Sequence, residues 1–305
     1  MKSSPGKRLL SKVIYDSRGN ALMRAVLKPV ASTLPDKFIH RLPIVGTVIV
    51  PSPWGKILFR GVGLDDLLST VFWHGLDAFE GETLHVFFEL LRTAQTFLDV
   101  GANIGLYTLL AGLAAHRPLI YAFEPDPSVF DRLKTNIALN GLINAHAVPC
   151  AVTDHDGEVD LHLLPGASAS TDANAKRFTS SISVPALTLD TFAADQDLQR
   201  IDLLKLDTEM TEPVVLSGAR RIIARDKPAS ICEVLAGCTE LALNALLTGT
   251  GYRYFWISPE GLDERAVIEG DPTYRCLNYL FIAEDRLQAL LRNSRLAIRS
   301  GSQDE

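Results

Sequence analysis

From Thr96 to Ala283 the chain alternates between short apolar runs and amphipathic segments, and that alternation limits the fold more than any other feature. The runs QTFLDV, PLIYAFE, AHAVPCAV, IDLLKLD, SICEVL, YRYFWI and LNYLFIA are almost continuously apolar, as strands buried on both faces must be. IGLYTLLAGLA, PSVFDRLKTNIALNG, EPVVLSGARRIIAR and TELALNALLTG read as helices between them. Pro127 and Pro213 stand at helix starts and Gly141 at a stop. Such alternation predicts a doubly wound, Rossmann-like α/β domain around a seven-stranded, mostly parallel sheet. Pro149 cannot donate to a ladder, which places the third strand at a sheet edge. A turn-rich link with little helical pattern joins the last two strands and predicts an antiparallel last strand. Residues 153–192 do not fit a crossover helix. EVDLHLL and ISVPALTL read there as strands around the polar loop PGASASTDANAKRFTSS, a candidate lid or substrate wall.

The first strand runs into FLDVGANIGLYTLL, a glycine turn that re-enters as a helix. In open α/β sheets the ligand sits beyond the carboxyl ends of the strands, where this turn falls. Gly101 and Gly105 allow a tight turn and close backbone approach, with Asn103 between them. A dinucleotide fingerprint would read G-x-G-x-x-G. Here the spacing is G-A-N-I-G with Asp99 just upstream, and a carboxylate suits a cationic amine or sulfonium better than a pyrophosphate. Glu124 closes the second strand and can accept two hydrogen bonds from a ribose diol. Together these favour S-adenosylmethionine over a nicotinamide dinucleotide. Asp154, following the third strand, is a candidate for the adenine end.

Net charge is −6, which makes nucleic acid a poor default partner. Residues 1–50 nevertheless carry nine Lys/Arg against Asp16 and Asp36. The plain reading is a solvated helical extension covering the domain or a second subunit; the sharper one is a peripheral membrane or acidic-partner arm. The N-terminus lacks the apolar core of a signal peptide and IVGTVIV is too short to span a bilayer, so no transmembrane segment is expected. Cys150, Cys232, Cys238 and Cys276 show no metal spacing and read as reduced, buried thiols of a cytoplasmic protein. DHDGEVD, at 154–160, lacks a full calcium ligand set and reads as an Asp-Gly hairpin turn.

The fourth strand, IDLLKLDTE, ends beside the first. Lys205 and Asp207 share a face by alternation, as would Glu209 if the strand stayed extended. Charges at the end of a buried strand imply either a structural ion pair, Lys205 with Asp207 or Glu233, or a catalytic carboxylate that orients or deprotonates a hydroxyl. His74 and His85 are weaker candidates for a base. Mg²⁺ could use Asp207 and Glu209, but no full ligand set is visible, so no metal site is assigned.

Between about Phe72 and Ala283 the chain resembles the FkbM-type methyltransferases. The resemblance is carried by FWHGLDAFE (72–80), FLDVGANIG (97–105), AFEP (122–125), LTLD (187–190), DLLKLDTE (202–209), VLSGA (215–219) and LNYLF (277–281). It implies a class I methyltransferase fold and S-adenosylmethionine-dependent O-methylation of a sugar or other small-molecule or lipid-linked acceptor. It also implies contact of Glu80 with the methionine end of the cofactor. The family continues its fourth-strand motif as D-x-E-G-x-E, whereas this chain reads Asp207-Thr208-Glu209-Met210-Thr211-Glu212. Met210 replaces a glycine where positive φ or close approach is needed, and Glu212 is retained. The alternatives are a nicotinamide-dependent oxidoreductase on a related sheet and a methyltransferase-like protein without turnover, with homo-oligomerisation compatible with any of them. The expected organisation is a basic extension (1–45), a hairpin and helices capping the core (46–92), the cofactor-binding domain (93–290) and a polar tail (291–305).

Overall fold

The computed structural model describes residues 15–163, 169–170, 180–294 and 296–300. The first fourteen residues of the basic extension, most of the 165–181 loop and the end of the polar tail lie outside them. Two compact units result: Met1–Gly81 with Ala138–Gly141, and Glu82–Ile137 with Leu142–Glu305. The sequence instead suggests steps at 45 and 92.

In the first unit α1 (Ser17–Leu27) is capped by the Asp16 side chain, which accepts from the amides of Arg18 and Gly19 at 3.0 Å. A 3₁₀ turn, Lys28–Thr33, and α2 (Asp36–Ile39) lead to a hairpin of β1 (Ile44–Ser52) and β2 (Gly55–Gly63). The strands pair along their whole length, from Ile44↔Gly63 to Ser52↔Gly55. Gly61 has to be glycine, since a Cβ would lie 2.4 Å from the Ile44 carbonyl oxygen. The Asn140 amide binds both the N–H and the C=O of Leu58 at 2.8 Å, satisfying part of the outer edge of β2. Asp65 caps α3 (Asp66–Trp73) through Leu68 N at 2.7 Å.

The second unit takes in all but the first residue of α4 (Gly81–Leu91), then β3 (Thr96–Val100), α5 (Leu106–Gly112), β4 (Leu119–Phe123), α6 (Pro127–Leu139) as far as Ile137, and β5 (Ala145–Val148). An excursion through β6 (Ala151–Val152), β7 (Gly157–Leu163), β8 (Ala169–Ser170) and β9 (Ser180–Leu187) follows. The chain continues through α7 (Leu189–Asp195), β10 (Leu203–Leu206), α8 (Glu212–Ser217), α9 (Arg220–Asp226), β11 (Ala229–Glu233), α10 (Glu240–Leu247) and β12 (Tyr252–Ser258). It closes with β13 (Gly261–Arg265), β14 (Asn278–Ala283), α11 (Glu284–Asn293) and β15 (Ile298–Ser300).

The main sheet has the order β15-β13-β12-β14-β11-β10-β3-β4-β5. Its seven sequence-predicted strands are all present, and β14 runs antiparallel to both neighbours, as the non-helical link requires. Two further strands extend one side: β13, a hairpin partner of β12 inside the turn-rich link, and β15. Phe97, Phe123, Leu204, Leu206, Ile231, Tyr279 and Phe281 fill the core with almost no exposure.

The run AHAVPCAV is two strands, not one. β5 is the sheet edge, as Pro149 demands, but the chain breaks at Pro149-Cys150 and leaves to form a second sheet, β6-β9-β7-β8. The DHDG turn accordingly crosses between β6 and β7, both paired to β9, and is not a hairpin. Asp156 there accepts from Thr188 N and Thr191 Oγ1, tying the turn to the start of α7. The cysteine expectation is also corrected: all four are free, but only Cys150 and Cys232 are buried, Cys276 is partly so and Cys238 is exposed.

Candidate active site at the glycine turn

The carboxyl ends of β3, β4 and β10 meet at the glycine turn. Its backbone donors are all taken up locally. Gly101 N and Ala102 N donate to Phe123 O, Asn103 N to Glu124 Oε2 at 2.9 Å, Ile104 N to Asn103 Oδ1, and Gly105 N to Ala102 O. Gly101, Asn103 and Gly105 all have left-handed φ, at 80°, 50° and 95°. The glycines answer to protein neighbours. A Cβ on Gly101 would sit 1.8 Å from the Asp207 carbonyl oxygen, and one on Gly105 would sit 2.6 Å from Leu133 Cδ1.

Glu124 is only 7% exposed. Each of its oxygens takes one amide, Oε2 from Asn103 and Oε1 from Asp126, both at 2.9 Å. A carboxylate offers about four lone-pair sites, so roughly one per oxygen remains for a ligand. Burial pushes its pKa up to about 7, against the two amide bonds that pull it down. Asp99 lies beneath the turn, not on its surface: it is buried and accepts the Thr108 hydroxyl at 2.6 Å. Burial raises it to about 6, opposed by Thr108 and by the charge of Lys205.

Lys205 is 1% exposed and sits in register with Asp99 across β3 and β10. Its Nζ bonds Asp207 Oδ2 at 3.0 Å and Asn278 Oδ1 at 3.3 Å, and lies 5.2 Å from the centre of the Tyr107 ring. The ion-pair reading of Lys205 and Asp207 is therefore realised, while about a third of the Asp207 side chain stays exposed. Glu233 feels burial first and the Asp207 charge second, and both raise its pKa. Glu212 is buried at the first residue of α8 and turns back to accept from Thr208 N and Oγ1 at 2.8 and 3.0 Å. Burial lifts it to about 7.

The strand stops at Leu206, so alternation does not carry to Glu209. That residue and Met210 occupy the following loop at φ 55° and 76°. The position where the family has glycine is thus left-handed here, and Met210 holds it at a steric cost of about 1 kcal/mol. Met210→Gly should raise the unfolding free energy by about that amount in urea titrations, with an unchanged m-value.

Asp154 and Met210 line one cleft of ≈ 500 Å³ together with His155, Thr211, Pro213, Cys238 and Thr239. Asp154 is half exposed and bonds His155 Nδ1 at 2.9 Å, which raises the imidazole pKa. A larger cavity of ≈ 820 Å³ lies at the opposite ends of the strands, around Thr96, Leu119, Asp202 and Ala229. Arg286 closes part of it by donating to the Asp202 and Asp226 carbonyls, so size does not locate the chemistry. Glu80 belongs to the first unit and has a left-handed φ of 48°. His74, also in that unit, stacks on His40, and His85 is exposed on α4. Among the described residues no group of three or more His, Cys, Asp and Glu is placed to hold a metal ion, so Mg²⁺ gains no support. Nor is any helix among them long and apolar enough to cross a membrane. Thr108, Asp126 and Asn278 were not singled out by the sequence. Thr108 and Asn278, beside apolar runs, carry no signal until the fold sets them against Asp99 and Lys205.

The strand order, the antiparallel β14 and the acid-lined glycine turn define a Rossmann-like fold of the class I methyltransferase type. The Methyltransferase FkbM domain matches residues 99–254, just over half of the chain, and the chain belongs to that family. It is 27% identical to the 31-O-demethyl-FK506 methyltransferase FkbM of Streptomyces tacrolimicus, over 48% of this chain and 71% of that protein. It is 23% identical to the hexuronic acid methyltransferase AglP of Haloferax volcanii, over 55% and 68%. Further relatives are spanned over 57–63% of their lengths. A crystal structure of an FkbM methyltransferase from Methylobacillus flagellatus superimposes with a TM-score of 0.43 and 18% identity, over 62% of this chain and 43% of that one.

Proposed function

We propose that this protein binds S-adenosylmethionine at the glycine turn and methylates a hydroxyl of a sugar or natural-product acceptor. The observation that carries the cofactor assignment is the closed set of donors in the turn. With the amides of residues 101–105 already bonded, the turn presents none of them to a pyrophosphate, and Glu124 beside it repels an anion. This removes the main support for the nicotinamide alternative. The same features fit a cationic cofactor with a ribose diol. Glu124 keeps acceptor capacity for the diol, and several carboxyl groups crowded around Lys205 favour positive charge. Asp154 is assigned to the adenine end, and Asn103, Gly101 and Gly105 shape the turn. The cofactor supplies an electrophilic methyl group on a sulfonium.

For the acceptor, Asp207 is the group proposed to orient or deprotonate the hydroxyl, because Lys205 fixes it at the strand end while it still reaches solvent. Glu209, in the left-handed loop beyond, is the second candidate. A base contributes about 10²–10⁴-fold, with the rest from positioning and exclusion of water. The hydroxyl and sugar classes draw on the relatives whose names specify a 31-O position and a hexuronic acid.

Calorimetric titration with S-adenosylmethionine tests the reading, with Glu124→Gln and NAD⁺ in parallel. Binding by the unmodified protein, weakened roughly 10- to 100-fold in Glu124→Gln, is the expected result. Binding of NAD⁺ without S-adenosylmethionine would reverse the assignment.

A further inference from the structure

Helix α1 is built inside out. Its polar Asn20 and Arg24 are 0% and 7% exposed, whereas Leu22 and Val26 are 68% and 65% exposed. The inward set is fixed by hydrogen bonds. Asn20 donates to Pro43 O at 2.8 Å and accepts from Val45 N at 2.9 Å; Arg24 donates to Asn20 Oδ1 and to Val45 O. These bonds prevent the helix from rolling its apolar side inward without orphaning buried polar groups. At 100° per residue Arg18, Leu22, Ala25 and Val26 form one outward stripe, and Val30 continues its four-residue spacing in the 3₁₀ turn. Phe38, on α2, is 47% exposed as well.

Charge indicates what covers this face. Arg18 is exposed on the stripe itself, and Lys37 and Arg41 are exposed on α2 and just after it, against Asp16, whose carboxylate caps α1, and Asp36. Residues 1–50 are +7 in a chain of −6, which leaves −13 for the rest. A second copy docking through the same face would set cation against cation. An exposed aliphatic stripe that carries Arg18 and lies in the basic segment of the chain matches the headgroup boundary of an anionic bilayer. We propose that the outward face of α1 holds this protein peripherally on an anionic membrane surface.

The test is co-sedimentation of the full chain with vesicles of phosphatidylcholine alone or with a third of phosphatidylglycerol. Binding is expected on the anionic vesicles, falling steeply as salt rises from roughly 0.05 to 0.5 M. Leu22→Ser/Val26→Ser should weaken it by about 10-fold or more, and Lys37→Glu/Arg41→Glu to a similar degree. Unchanged circular dichroism and S-adenosylmethionine titration would show that both variants are folded. No binding to anionic vesicles overturns the proposal, as does equal binding to phosphatidylcholine or binding that survives Leu22→Ser/Val26→Ser. Concentration-dependent dimerisation abolished by Leu22→Ser/Val26→Ser would give the face to a second copy and overturn it too.

Discussion

Gly101→Ala should cost about 4 kcal/mol or more, enough to leave little folded protein if the unmodified chain has ordinary stability. Two effects add. At φ 80° a Cβ costs about 1 kcal/mol of backbone strain. The larger effect is contact: the new carbon would stand 1.8 Å from the Asp207 carbonyl oxygen and 3.5 Å from Thr208 Cγ2. Neither side yields easily. Gly101 follows β3 directly, Asp207 N donates to Val100 O, and the strands between them are paired and buried. Gly249→Ala is the control. Its φ is 78°, nearly the same, but nothing lies within 4 Å of the added carbon. That variant should lose only about 1 kcal/mol. Urea denaturation of the pair separates strain from contact, and equal losses would show that the turn tolerates displacement from β10.

The sequence reading went furthest where a residue type excludes alternatives. Pro149 can only be at an edge, and seven apolar runs linked by four helical ones admit few sheets. It could not say that the chain leaves the main sheet at Pro149-Cys150, because a proline marks where a ladder stops and not where the strand goes next. β13 was hidden in the same way, since Gly261–Arg265 has only one buried residue, Leu262, and little apolar pattern to read. Within the site, the glycine turn and Glu124 were visible as positions but not as contacts. The sequence attributed Gly101 to ligand approach, whereas the atom nearest its missing Cβ is a backbone oxygen one strand away. Asp99 was read as facing the turn because it ends a strand. The pleat instead directs it inward, to Thr108 and the neighbourhood of Lys205. Met210 was the reverse case: a departure from a family pattern foretold a left-handed backbone, and the loop has one. The inverted face of α1 was illegible, because an apolar stripe on a helix predicts burial unless hydrogen bonds such as those of Asn20 and Arg24 fix the other side inward.

Replacing Lys205 with Met should destabilise the protein by about 3 kcal/mol near pH 8, and by less near pH 5, where the broken pair with Asp207 still costs stability. The loss lies towards the lower end for a broken buried ion pair because Asp207 reaches solvent. The pH dependence has to be separated from that of the buried acids of the site as a whole. Asp99, Glu124 and Glu212 have pKa values raised by burial to about 6, 7 and 7. A carboxyl whose folded pKa lies above its unfolded one contributes its stability at low pH, and that contribution is lost as pH rises from about 4 through the folded value. The cofactor-free protein should therefore lose stability from about pH 4.5 through pH 7, and the loss continues above that because burial raises Glu233 further still. The positive charge of Lys205 lowers the pKa of both Asp99 and Glu233. Without it those values rise further, so the penalty of ionising the acids is largest above pH 7 and vanishes once they are protonated. Methionine keeps the length and apolar contacts of the lysine stem, so the variant removes charge with little loss of packing. Urea titrations of both proteins at pH 5 and pH 8 measure the difference directly. A deficit equal at the two pH values would mean that Lys205 acts through its bonds to Asp207 and Asn278 alone, with no part in holding the carboxyl groups ionised.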